Sequence, residues 1–270
     1  MTVHAVQCRS CGGAVAHEAG APVPRCVFCG RDALEETDLA AQQPAAYLPF
    51  SVQEPAARLA FRGWARSRFW APRSMRRATV TLRPLHVPAW SWEGDLETHW
   101  AALIPAATRS GKRPVTGQES ARIDGVMVPS SPALAAAELD AISPFALSGR
   151  ISIEQSGPPG PFEVSTLSRA VAQERGVARL RAVHGEQIAA RIGASTLNTS
   201  CLAQRVHGEP LLLPVWIGAY LHGDTSYRVV INGQTQAITG SAPISWLKVT
   251  AAVLAGLLLL LLILAVVASQ

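Results

Sequence analysis

The sequence predicts an α+β chain with an N-terminal zinc ribbon, a basic helix, a mostly antiparallel β head carrying a long helix, and a single C-terminal transmembrane helix. Three observations lead there. Two Cys-x2-Cys pairs, Cys8/Cys11 and Cys26/Cys29, are each followed by glycine. Eight arginines and no acid lie between Glu54 and Glu93. The last long run, Val249 to Ala268, holds no charge, Asn, Gln or Pro. The implied domains are a ribbon over 1–33, a linker over 34–46, a head over 47–243 with its basic helix at 54–70, and a span over 249–268.

The ribbon comes first. Cys8, Cys11, Cys26 and Cys29 form two knuckles able to present four thiolates to one zinc ion, with glycines for the tight turns. A four-thiolate iron centre uses the same ligands. About 30 residues cannot bury a stabilising core alone, so a bound metal would supply the missing stability. Four protein thiolates leave no open coordination position, which makes the expected zinc structural and not catalytic. His4 and His17 are near but unneeded, and are expected at the surface. Residues 31–46 are rich in Ala, Gln and acids and read as the linker, with a short helical turn at 33–39.

The basic helix follows. Pro55 suits a first helical position. Leu59, Ala60, Phe61 and Trp64 are spaced as an apolar face, Arg58, Arg62 and Arg66 form an i, i+4 row, and Pro72 ends the helix. With Arg76 and Arg77 these arginines make a candidate surface for an anionic partner. Nucleic acid, an anionic membrane leaflet and a plain solvated face paired with the acidic linker are the three readings.

The head alternates β and α signals. Leu96, Thr98, Trp100, Ala102 and Ile104 alternate with polar or small neighbours, a period of two that predicts one buried strand face. Gly94-Asp95, Ser110-Gly111 and Asp124-Gly125 read as turns that divide 79–128 into a meander. Glu97 and His99 share the solvated face. A short helix is expected at 133–139 and a long one at 165–192, interrupted by Gly176 and Gly185. The last β region runs from Leu211 to Tyr220, turns at Gly223-Asp224, continues over 227–231, and meets a type I′ hairpin signal at Asn232-Gly233 before a strand at 235–239. Val87-Pro88-Ala89-Trp90 and Leu213-Pro214-Val215-Trp216 suggest edge strands, because proline cannot donate to a ladder. The His-Gly-Glu or His-Gly-Asp triplets at 184, 207 and 222 share no metal-ligand spacing. Cys201 is expected in a core or strand.

At about 1.5 Å per residue, Val249 to Ala268 would cross a hydrocarbon core of roughly 30 Å. Without an apolar signal-peptide core at the N-terminus, and with Lys248 on the head side, the run reads as a tail anchor in the inner membrane with a cytoplasmic head. The net charge of +5 includes only two lysines, Lys112 and Lys248, among 24 basic residues.

The ribbon, the Tyr47–Phe50 piece, the arginine-rich helix ending in Ala71-Pro72-Arg73, the Val87-Pro88 strand with Trp90, Val128-Pro129-Ser130, and Leu213-Pro214-Val215-Trp216 through Asn232-Gly233-Gln234-Thr235 to Pro243 and Trp246 occur in one order. That order resembles a bacterial family of membrane-attached zinc-ribbon proteins, labelled as transcription-factor-B-type zinc ribbon proteins or as similar to the primosomal replication-restart helicase. The resemblance covers most of the chain, and its specific part is the block from Leu213 to Thr235. The chain departs where the family has glycine after Asn-Gly-x-Thr and this sequence has Gln236. The region 151–164 is also divergent. No catalytic residue carries over, and without a Walker loop the head is no ATP-driven motor. The expectation is a non-enzymatic, membrane-anchored scaffold that recognises a macromolecular partner, protein first and nucleic acid as the alternative. No small-molecule substrate is implied.

Overall fold

In the computed structural model the described residues are 3–9, 14–18, 34–37, 44–107, 111–157, 159 and 162–268. In chain order the elements are β1 (Val3–Cys8), β2 (Ala14–Glu18), β3 (Leu34–Thr37), β4 (Ala46–Tyr47), α1 (Glu54–Ser67), β5 (Val80–Pro105), β6 (Lys112–Pro129), α2 (Ala136–Ile142), β7 (Ile151–Ser152), α3 (Ile153–Ser156), β8 (Phe162–Glu163), α4 (Arg169–Ile192), β9 (Thr196–His222), β10 (Thr225–Asn232), β11 (Ile238–Gly240) and α5 (Trp246–Ala268). The α+β class and the mostly antiparallel sheet are as the sequence predicts.

Two very long strands form the spine. β5 and β9 pair antiparallel from Val80–Tyr220 to Leu103–Thr196, a ladder of roughly 75 Å at about 3.3 Å per residue. β10 and β11 extend one end of this ladder, and β6 lines β5 at the other. Gly94-Asp95 and Asp124-Gly125 are therefore not hairpin turns. They sit at bulges, where the registers of β5 with β6 and with β9 both shift, and Gly125 takes φ 66°. An extra residue in one strand bends it and increases twist without ending it, so the expected meander is replaced by continuous strands. Arg205, at φ 46°, lies at the same level of β9. Its guanidinium donates to Asp95 at 2.5 Å.

The prolines show why edge position is not required. Pro88 and Pro214 lie in the central pair, not at the edges. The carbonyl of Pro88 accepts from Ser130 N–H at 3.1 Å and that of Pro214 from Gly233 N–H at 2.8 Å, both away from the β5–β9 ladder. A strand residue points its N and its C=O to the same side, so the missing N–H also faces outward. There the outer neighbours change over, from β8 to β6 beside β5 and from β4 to β10 beside β9.

Three apolar clusters flank the sheet. Ala57, Phe61, Trp64 and Ala65 of α1 pack with Val80, Leu82, Trp216, Tyr220 and Ile231. Leu59, expected in this face, is 62% exposed. On the opposite face of that end, Leu139 and Ile142 of α2 meet Leu85, Val87, Leu213 and Val230. At the far end Ala172 and Leu180 of α4 cover Trp90, Trp92 and Leu96. Neither Gly176 nor Gly185 interrupts α4. A Cβ on Gly176 would stand 2.5 Å from the Trp92 ring, and one on Gly208 would stand 2.3 Å from its other side, so two glycines make the slot this indole fills.

The Asn232-Gly233 signal marks a longer connection than a two-residue hairpin. β10 and β11 pair from Ile231–Ile238, and the intervening loop places Gln236 at φ 66°. A left-handed backbone favours glycine at such a position. Gln236→Gly is expected to raise stability by about 1 kcal/mol, read as a higher urea midpoint. An unchanged or lower midpoint would count against strain at this residue.

Three further expectations are corrected. Residues 34–37, placed in the linker's helical turn, form strand β3 against β1. The transmembrane helix is not carried forward, although α5 runs from Trp246 to Ala268. Among the described residues no helix is long and apolar enough to cross a membrane. The tail anchor, the membrane as partner and the inner-membrane location with a cytoplasmic head rested on that span and fall with it. The zinc ribbon is not carried forward as part of the fold either: among the described residues no group of three or more His, Cys, Asp or Glu could hold a metal, and Cys11, Cys26 and Cys29 lie outside them.

Candidate anion-binding groove

The structure brings all five arginines of the predicted anionic-partner surface to one place. Arg58, Arg62 and Arg66 from α1, with Arg76 and Arg77 from the 3-10 turn over 73–77, line a groove of about 300 Å³ floored by Phe61 and edged by Thr79. The sequence produces this locally. The i, i+4 row keeps the three helical arginines on one side while Phe61, Trp64 and Ala65 are buried on the other. Met75, fully buried, holds the turn so that Arg76 and Arg77 project outward.

The five are not equivalent. Arg58 donates to Glu54 Oε1 from Nε at 2.8 Å and from Nη2 at 2.5 Å, and to the Val80 carbonyl from Nη1 at 2.7 Å. It ties α1 to the start of β5 and is largely committed. Among the described residues no acid stands within ion-pairing reach of Arg62, Arg66, Arg76 or Arg77. Like charges around one groove repel, and a guanidinium presents a planar fork of donors suited to carboxylate or phosphate oxygens. An anion in the groove relieves the first effect and satisfies the second.

The segment that joins the two walls carries Phe69 and Trp70, 70% and 47% exposed. Their rings meet edge to face at 5.1 Å. Arg68 lies over the Trp64 ring at 4.8 Å.

The four predicted metal ligands are not assembled among the described residues. Cys8 ends β1, buried, opposite Leu34 of β3; Cys11, Cys26 and Cys29 lie outside the described residues. The zinc expectation thus rests on cysteine spacing, and metal analysis of the purified chain tests it. About one zinc per chain is the result that spacing requires, and none would end it.

Among the described residues, polar groups elsewhere do not converge into a second centre. Glu97 accepts from Gln118 at 2.7 Å, and His99 is exposed on the same strand face. His184 is buried inside α4 with Nδ1 3.0 Å from Thr98 Oγ1, and His222 contacts Ser74 Oγ at 2.9 Å. Cys201 is half-buried beside the α4 cluster. Two groups escaped the sequence reading. Glu163 is fully buried and accepts from Ser131 Oγ at 2.5 Å. Burial pushes its carboxyl up to about 8, against smaller opposing contributions from Ser131, Arg228 and the Ala133 backbone. Asn232 is fully buried and makes four side-chain hydrogen bonds. A single Glu in a two-residue strand and an Asn in a turn motif carry no pattern that announces burial.

No family model, no curated protein and no solved structure matches the chain.

Proposed function

We propose that this is a non-enzymatic binding protein that recognises an anionic macromolecule through the arginine groove. The supporting observation is the convergence of Arg62, Arg66, Arg76 and Arg77 on one concave surface with no acid to neutralise them among the described residues. The groove offers charge and a hydroxyl but neither a carboxylate nor an imidazole, so acid–base chemistry has no agent there.

The test uses the full chain titrated with inorganic polyphosphate and with poly-L-glutamate at about 50 and 200 mM salt. Binding should weaken steeply with salt as counterions are released. Replacing Arg62, Arg66, Arg76 and Arg77 together by Gln is expected to cost at least tenfold at the lower salt, and to reduce the log–log slope by about three to four. Equal affinity and slope in the variant would reject the reading.

A further inference from the structure

The chain that joins the two walls of the arginine groove has a feature that charge does not explain. The chain between its two walls exposes two large aromatic rings side by side, and neither belongs to an apolar core cluster. The Trp70 carbonyl accepts from Ser245 N–H at 2.8 Å. Lys248 Nζ donates to the Phe69 and Ala71 carbonyls, each at 2.7 Å. Three consecutive carbonyls are therefore held by the start of α5, and Lys248 Nζ also stands 5.6 Å from the centre of the Phe69 ring. The backbone ordering that binding would otherwise require is already in place.

Resting on the groove reading above, we infer that the partner is single-stranded nucleic acid, with Arg62, Arg66, Arg76 and Arg77 on its phosphates and Phe69 and Trp70 stacking on its bases. The two rings meet at 85°, so each turns a face in its own direction. Such a pair suits two splayed bases and not a continuous stack. A duplex hides its base faces and gains only the charge contacts. An acidic peptide gains the charge contacts and has no planar group for the rings. Stacking on aromatic side chains beside a basic groove is the general means by which single strands are held without sequence preference.

The experiment compares three probes on the full chain: an oligothymidylate of about twelve nucleotides, an abasic phosphodiester strand of the same length, and poly-L-glutamate. The double variant Phe69→Ala, Trp70→Ala should weaken oligothymidylate binding by about 10- to 100-fold and abasic-strand binding by less than about twofold. The variant Phe69→Tyr, Trp70→Phe, which keeps two rings, should retain most of the affinity. An equal loss on both strands would overturn the stacking role and mark the rings as structural. Tighter binding of poly-L-glutamate than of oligothymidylate by the unaltered chain would overturn nucleic acid in favour of an acidic protein. Loss of all abasic binding in the four-arginine variant supports the phosphate contacts. Abasic binding unchanged in that variant would instead sink the groove reading itself, whatever the aromatic variants do.

Discussion

Replacing Asn232 with Ala should cost the fold roughly 3–5 kcal/mol, visible as a large fall in the urea midpoint. The amide nitrogen donates to the Ile142 carbonyl at 2.8 Å and the Pro144 carbonyl at 3.1 Å. The amide oxygen accepts from the N–H groups of Gln234 at 2.7 Å and Thr235 at 3.2 Å. One side chain thus joins the end of α2 to the loop that leads into β11, in a site with no solvent exposure. Truncation leaves two carbonyls and two amides without partners, and each buried orphan costs about 1–3 kcal/mol before relaxation or water entry. Asn232→Asp separates donor from acceptor. It keeps an oxygen for the two amides but points the other at two carbonyls, so its loss should approach that of Ala. A loss below about 1 kcal/mol in both variants would show that this side chain does not organise the junction.

The second large effect is a pH dependence centred on Glu163. Its folded carboxyl titrates near 8 against an ordinary 4.5, because burial disfavours the charged form more than Ser131, Arg228 and the Ala133 backbone favour it. Between these values the native chain keeps a proton that the unfolded chain has released. Stability from this group is therefore highest below about pH 4.5, declines as pH rises, and levels off above about 8. The full decline is on the order of 5 kcal/mol. Among the described residues Oε1 has no hydrogen-bond partner, so an ionised carboxylate would be poorly served. Subtracting the Glu163→Gln stability profile from that of the unaltered chain, pH 5 to 9, should isolate the decline, with the variant lacking it. Parallel profiles would show that Glu163 does not titrate in this range. Residue 163 pairs with Val15 of β2, so the strain of ionisation falls where the N-terminal strands join the main sheet.

Much of the architecture was legible because it rests on periodicity. The alternation around Leu96 and Thr98 is a strand with one buried face, and the i, i+4 arginine row is one side of α1. The same row, with Arg76 and Arg77, lines the groove. What failed were local punctuation marks whose meaning depends on distant partners. Gly94 and Gly125 look like turns, yet the neighbouring strands continue past them and convert them to bulges. Asn232-Gly233 looks like a hairpin. In fact Asn232 bonds α2, and Gly233 is required because a Cβ there would stand 2.6 Å from the Phe50 ring. Gly176 looks like a helix breaker and is a seat for Trp92. The apolar run after Lys248 was read as a span from composition, and the described part of α5 does not meet that requirement. The exposed pair Phe69–Trp70 was visible as two letters, but its rigid backing comes from residues 245 and 248, far along the chain.

The aligned bulges at Gly94, Gly125 and Arg205 have a mechanical meaning. They lie inside the core that α4 covers, with Trp90 and Trp92 on one side and Leu96 and Ile123 on the other, while β5 and β9 pass unbroken through them. The extra residues bend and twist the strands beneath a single helix, which packs on both sides of the bend and so braces it. The arginine groove lies at the Val80 end of the same β5–β9 ladder, under a different helix.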